Sequence, residues 1–101
     1  MQNNDNVQVI TLVSGRVQGV AFRYFVREKA TALSLKGWVR NLSDGRVEFL
    51  ALGTRENCEV LLKKVAQGPS MSQVSSVEPK WTIPSGDHHN FRIAPTSNST
   101  R

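Results

Sequence analysis

The sequence predicts an α+β sandwich: a mainly antiparallel sheet with two helices on one of its faces. Three observations carry that expectation. Two segments place apolar residues at helical spacing, and each is bracketed by β-branched or alternating runs, so the order reads strand, helix, strand, strand, helix, strand. A Ser43-Asp44-Gly45 turn between the second and third strands marks a hairpin. Two βαβ halves joined by that hairpin close right-handed, which puts both helices on the same face. A last short strand follows them.

Val7 to Ser14 is rich in β-branched residues and reads as a strand buried on both faces. Gly15 to Phe22 is a loop. From Arg23 to Leu33 a helix follows, its stripe formed by Phe22, Val26, Ala30 and Leu33. Lys36 to Leu42 is a strand with Gly37, Val39 and Asn41 on one side and Trp38, Arg40 and Leu42 on the other. Arg46 to Leu52 alternates around Val47, Phe49 and Ala51. Thr54 is placed to cap a second helix, whose stripe is Cys58, Leu61, Leu62 and Val65 and which Gly68-Pro69 stops. Val74 to Ile83 and Asn90 to Ala94 give the last two strands, and Pro79 assigns the former to a sheet edge because it cannot donate a ladder bond. This is the ferredoxin-like βαββαβ order with a short fifth strand, in which strands one and three are central neighbours. The domain is expected over residues 7–94, with polar tails at 1–6 and 95–101.

The chain has 101 residues, 39 % apolar and 21 % charged, which suits one folded domain and argues against general disorder. Cys58 is the lone cysteine, so an intrachain disulfide and a cysteine zinc site are excluded. No apolar run approaches the ~20 residues of a membrane span. Residues 1–6 lack the basic-then-apolar order of a signal peptide, so the cytoplasm is the expected compartment. Thirteen Lys and Arg against eight Asp and Glu give a net charge of +5, which favours anionic partners. Those cations are dispersed, however, and Gly45 to Leu50 lacks the alternating aromatics of an RNA-reading sheet, so no nucleic acid is expected. Trp38, Phe49, Trp81 and Phe91 are accounted for by packing. His88-His89 beside Asp87 reads as a solvated turn, since adjacent strand side chains point apart and no third ligand is at hand.

The stretch Gly15-Arg16-Val17-Gln18-Gly19-Val20-Ala21-Phe22-Arg23 holds the chemistry. It contains no proline, so every backbone N–H is free to donate, and its glycines let the chain curl. A curl of N–H groups entering a helix N-terminus suits a phosphate, and Arg23 in the first turn would overhang it. The plain alternative is an ordinary strand-to-helix connection whose Arg faces solvent. No Gly-Lys-Ser/Thr closes the loop as in a Walker motif. Asn41, entering the Asp44-Gly45 turn, carries a donor and an acceptor that could orient a water; its plain alternative is an Asn bonding its own turn. Arg16, Arg40 and Arg46 would raise the positive potential around such a site.

Gly15-x-Val17-Gln18-Gly19-Val20-x-Phe22-Arg23, followed by Gly37-Trp38-Val39-Arg40-Asn41 and Asp44-Gly45-x-Val47-Glu48, resembles the acylphosphatase family in both of its signature segments, at the family's spacing. The likeness runs on through Ala51-x-Gly53 and Gly68-Pro69 and covers about residues 7–94. It implies hydrolysis of carboxyl–phosphate anhydrides to carboxylate and inorganic phosphate by a monomer, without metal, cofactor or covalent intermediate. Carried over by position, Arg23 and the amides of Arg16, Val17, Gln18, Gly19, Val20, Ala21 and Phe22 bind the phosphoryl oxygens, and Asn41 positions the attacking water. Inorganic phosphate is then product and inhibitor. Such a leaving group asks for little acid catalysis, which agrees with the lack of a His, Asp or Glu constellation near the loop. Two departures stand out: Ser34 replaces the usual glycine after the first helix and loses an easy left-handed cap, and Ser72 replaces a common alanine. The rivals are a domain that binds a phosphorylated ligand or nucleic acid without turnover, and a regulatory piece of a longer chain.

Overall fold

The computed structural model describes residues 6–99. Seven elements follow in the expected order: β1 (Asn6–Arg16), α1 (Phe22–Ala32), β2 (Lys36–Asn41), β3 (Val47–Thr54), α2 (Arg55–Gln67), β4 (Gln73–Thr82) and β5 (Phe91–Ile93). They build one five-stranded sheet of order β4-β1-β3-β2-β5, antiparallel except for β2 with β5. The ferredoxin-like α+β class therefore holds, with β1 beside β3 at the centre. Pro79 lies in β4, an edge strand, where a residue without an N–H is tolerated. Among the described residues no helix is long and apolar enough to cross a membrane.

Strand alternation sorts the core. Val9 and Val13 of β1, Val39 of β2 and Phe49 of β3 are fully buried against Val26 and Ala30 of α1 and Leu61 and Val65 of α2. Fully burying one such side chain contributes about 1.5–3 kcal/mol. The expectation that β1 is buried on both faces is corrected. Ile10 and Leu12 point away from the helices and stay half-buried, because no helix covers that face; they line a groove of about 690 Å³. Phe49 and Phe91 are core residues, and each tryptophan is covered by a guanidinium: Arg40 lies 4.5 Å from the Trp38 ring and Arg55 3.9 Å from Trp81.

The helix ends differ in kind. At α2, the Thr54 hydroxyl accepts the Asn57 N–H at 3.2 Å, Glu56 sits in the first turn, and Gly68 closes the helix. At the end of α1, Ser34 takes the left-handed position at φ 60, its N–H bonding Thr31 O while the Leu35 N–H bonds Ala30 O, each at 2.9 Å. The cap expected to be lost with Ser34 in place of glycine is therefore formed, with the serine itself in the left-handed conformation.

None of the side chains of residues 95–99 is buried, as expected of the tail, but their backbone is not loose. Ser97 pairs in parallel with Leu42, so the chain beyond β5 continues along the outer edge of β2. Backbone pairing holds it, which no apolar pattern announces. Asn6, expected in the N-terminal tail, opens β1 opposite Thr54, and residues 1–5 and 100–101 of the expected tails lie outside the described residues.

Candidate active site

The loop between β1 and α1 is pinned at both ends. Val17 and Phe22 are fully buried, so the segment between them must arch outward. It leaves the sheet at a bulge between Ser14 and Gly15, where β1 and β4 shift register. A side chain at Gly15 would run into the Gln73 carbonyl and the Ser75 amide, and its φ of 117 disfavours any other residue. Gly19 has φ 75 and open space around it, so there the backbone conformation alone asks for glycine. Ala21 is unexpected: it enters α1 at φ 61, a conformation that costs a non-glycine residue roughly 1–2 kcal/mol.

The consequence is a helix start left open. Ala21 supplies no side-chain cap, and no acidic residue stands in the first turn of α1. The first helical bond is from the Phe25 N–H to Ala21 O at 3.1 Å. Among the described residues, no backbone N–H from Val17 to Tyr24 donates to a turn, loop or side-chain acceptor. A continuous row of unspent donors thus meets the positive end of a helix dipole, which is what a tetrahedral anion requires. Arg16, at the end of β1 opposite Gln73, forms the rim of that row.

Arg23 is the second residue of α1, half-buried, and no carboxylate stands within ion-pair reach of it among the described residues. Asn41 ends β2. Val13 and Asn41 stand opposite Val47 from its two sides, two strand spacings or about 10 Å apart, and β1 runs on past Val13 to Arg16, so the loop leaves the sheet at the end where Asn41 lies. The Asn41 side chain does not bond its own turn: its Oδ1 is buried without a partner. Such an acceptor costs about 1–3 kcal/mol unless a water or ligand meets it.

Gln18 has a role that its place in the motif did not disclose. Its Nε2 donates to Leu42 O at 2.8 Å and to Arg46 O at 2.9 Å, tying the loop to the hairpin that carries Asn41. The only signal available beforehand was a carboxamide able to donate twice; its acceptors lie 24 and 28 residues away. The expected field from Arg40 and Arg46 is largely cancelled. Arg40 pairs with Glu48 at 2.8 Å, and Arg46 grips Asp44 at 2.8 Å. The Arg46 side chain, then its amide, then Ser99 hold the Asp44 carboxyl down at about 2. Asp44 and Glu48 are thus both committed to arginines and unsuited to act as bases. The Cys58 thiol is buried and pushed up to about 11 by desolvation, a packing group.

An open helix N-terminus, a guanidinium with no carboxylate partner among the described residues and an unpaired carboxamide oxygen stand at one end of an α+β sandwich, an arrangement suited to receiving an anion. The comparisons with known proteins narrow that reading. The acylphosphatase family model matches residues 9–93. The acylphosphatase of Chloroflexus aurantiacus is 47 % identical over 89 residues, covering 88 % of this chain and 97 % of that protein. The structure of an acylphosphatase from Coxiella burnetii superposes with a TM-score of 0.86 at 40 % identity, over 93 % of this chain and all of that one. Full-length HypF, in its phosphate- and nucleotide-bound form, shares the fold over 98 % of this chain and 13 % of its own length, at 24 % identity and a TM-score of 0.89. The chain belongs to the acylphosphatase family.

Proposed function

We propose that this pocket carries out the family's reaction, hydrolysis of an acyl phosphate to a carboxylate and inorganic phosphate, with Arg23 and Asn41 as its catalytic residues. The phosphoryl group sits on the amides of Arg16 to Phe22, and the Arg23 guanidinium closes over two of its oxygens in fork geometry. Asn41 accepts a hydrogen bond from a water through Oδ1 and aims that water at phosphorus. The water oxygen bonds to phosphorus as the P–O bond to the acyl group breaks. The bonding pair leaves with the carboxylate, and the water's protons stay with the phosphate. Because a carboxylate is a good leaving group, the work is orientation and stabilisation of charge on the equatorial oxygens. No metal or cofactor takes part, and the phosphate released is a competitive inhibitor.

The observation that carries this reading is the row of uncommitted amides from Val17 to Tyr24 running into an uncapped helix that bears Arg23. The domain over residues 7–94 is proposed to act as a monomer in the cytoplasm on small acyl phosphates, without a nucleic acid partner. Turnover of benzoyl phosphate in the presence of a chelator tests the reaction; no release above the buffer rate refutes it. Arg23→Gln and Asn41→Ala are each expected to lose about 100-fold or more in kcat/KM, the typical effect of removing one well-placed group that acts on developing charge. Retained turnover in either folded variant removes the role given to that residue. Light scattering at working concentration tests the monomer.

A further inference from the structure

We propose that residues 95–99 are a strap that positions Asn41, an inference that rests on Asn41 being the residue that orients water. β5 pairs with β2 only from Gly37 to Val39, which would leave the last residues of β2 on a bare edge. The chain beyond β5 supplies the missing partner. Ala94 N–H bonds Val39 O at 2.8 Å, Ser97 N–H bonds Asn41 O at 3.0 Å, and Ser97 O accepts the Ser43 N–H at 2.9 Å. Past them the Ser99 N–H bonds the Ser43 hydroxyl at 3.0 Å, and Arg46 Nη2 reaches the Ser99 hydroxyl at 3.3 Å.

Asn41 is thereby held from both sides, by β3 through its register with Val47 and by the strap through its own carbonyl. This contact lies past residue 93, where the match to the family model ends. The terminal residues of an edge strand open at little free-energy cost when nothing pairs with them. A side chain whose only task is to aim a water does not tolerate that freedom, since a misplacement of about 1 Å can cost about 100-fold in rate. Among the described residues no hydrogen bond joins residues 95–99 directly to residues 16–22; strap and loop meet only through the hairpin, where Gln18 bonds Leu42 O and Arg46 O and Arg46 bonds Ser99. Loosening the strap therefore acts on Asn41 directly and on the loop only at one remove, so the attack is disturbed more than the grip on phosphate.

The experiment compares Ser97→Pro, which deletes the N–H bonded to Asn41, with Ser97→Ala, which keeps it, and with the chain stopped after Ala94. Each is assayed for kcat on benzoyl phosphate and for the inhibition constant of inorganic phosphate. Ser97→Pro and the shortened chain are expected to lose about tenfold or more in kcat with the inhibition constant within about twofold of the parent, while Ser97→Ala matches the parent in both. If the shortened chain does not fold, the two Ser97 variants decide. An unchanged kcat in Ser97→Pro overturns the strap, and so does a phosphate affinity that falls in step with kcat. Asn41→Ala, run alongside, separates the failures: if it retains turnover the water-orienting role itself is lost, whereas if it is inactive and Ser97→Pro is fully active only the strap is lost.

Discussion

Gln18 offers the sharpest check on how the two halves of the pocket are joined. Replacing it by Met keeps the length of the side chain and deletes both donors to Leu42 O and Arg46 O. Neither carbonyl is orphaned by the change. Leu42 O still accepts the Gly45 N–H at 3.1 Å, and Arg46 O still accepts the Leu42 N–H at 2.8 Å. The loss is therefore two net hydrogen bonds without a desolvation penalty, about 2 kcal/mol in sum. For a domain of this size that lowers Tm by roughly 8–15 °C in a thermal melt followed by circular dichroism. Because the bonds join the amide loop to the hairpin of Asn41, kcat/KM on benzoyl phosphate is expected to fall by about tenfold or more as well. Gln18→Glu is the discriminating companion. An ionised carboxylate would face two carbonyl oxygens and stand beside a dianionic substrate, so it should be worse than Met in both assays. A Tm for Gln18→Met equal to the parent's, or a Glu variant more active than the Met variant, refutes the reasoning.

Ser34→Gly is expected to raise stability by about 0.5–1 kcal/mol with unchanged kinetics, because glycine adopts the left-handed position at φ 60 without the Cβ penalty; a lower Tm would contradict this. Cys58 should resist iodoacetamide at pH 8 in the native protein and react fully in denaturant, since burial keeps its thiol protonated; labelling of the folded protein at the denatured rate would place the thiol elsewhere. The Asp44 carboxyl titrates lower in the folded protein than the ordinary carboxylate near 3.8, so its contribution is present above pH 4 and is lost as pH falls toward 2. The difference in Tm between the parent and Asp44→Asn should accordingly be constant above pH 5 and shrink below pH 4. A difference that grows on acidification would reverse the sign and exclude the Arg46 contact as its cause.

What the sequence disclosed, and what it did not, divides along the range of the interactions. Thr54 as a cap and Pro79 as an edge residue each rest on local backbone chemistry, and each stands in the structure, whereas Ser34, expected to lose the left-handed cap, adopts it at φ 60. The glycines at 15 and 19 likewise announced a curl, although the side-chain clash that fixes Gly15 comes from β4, almost sixty residues on. Ala21 was illegible because alanine carries no signature of a positive φ; the buried anchors Val17 and Phe22 impose it. The Gln18 cross-link, the arginines over the tryptophans and the pairing of Ser97 with Asn41 all join residues distant in the chain, and local pattern carries no trace of them. The half-exposed face of β1 leaves no mark in the sequence for a related reason: β-branched residues suit a strand whether or not a second layer covers it.

Two unfavourable features fall together at the proposed site, and their coincidence argues for function more strongly than either alone. α2, which contributes nothing to the pocket, has its hydroxyl cap, an acidic first turn and a glycine stop. α1 forgoes the cap, worth about 1 kcal/mol, and begins on a strained alanine. Asn41 keeps a buried oxygen unpaired at the same end of the sheet; Thr11 Oγ1 in mid-strand is a second such atom, which nothing in the structure explains. A chain shaped for stability alone would cap α1 with Ser or Asp, as it caps α2 with Thr. Either would spend an amide that the proposed phosphate site uses, and Asp would add a negative charge beside the proposed dianion. Open donors that need not reorganise when charge develops are what a hydrolase with a good leaving group requires, since no proton has to be delivered. On the proposed mechanism the unfinished start of α1 and the grip on phosphate are one property: the helix lacks the cap that a bound phosphate would replace.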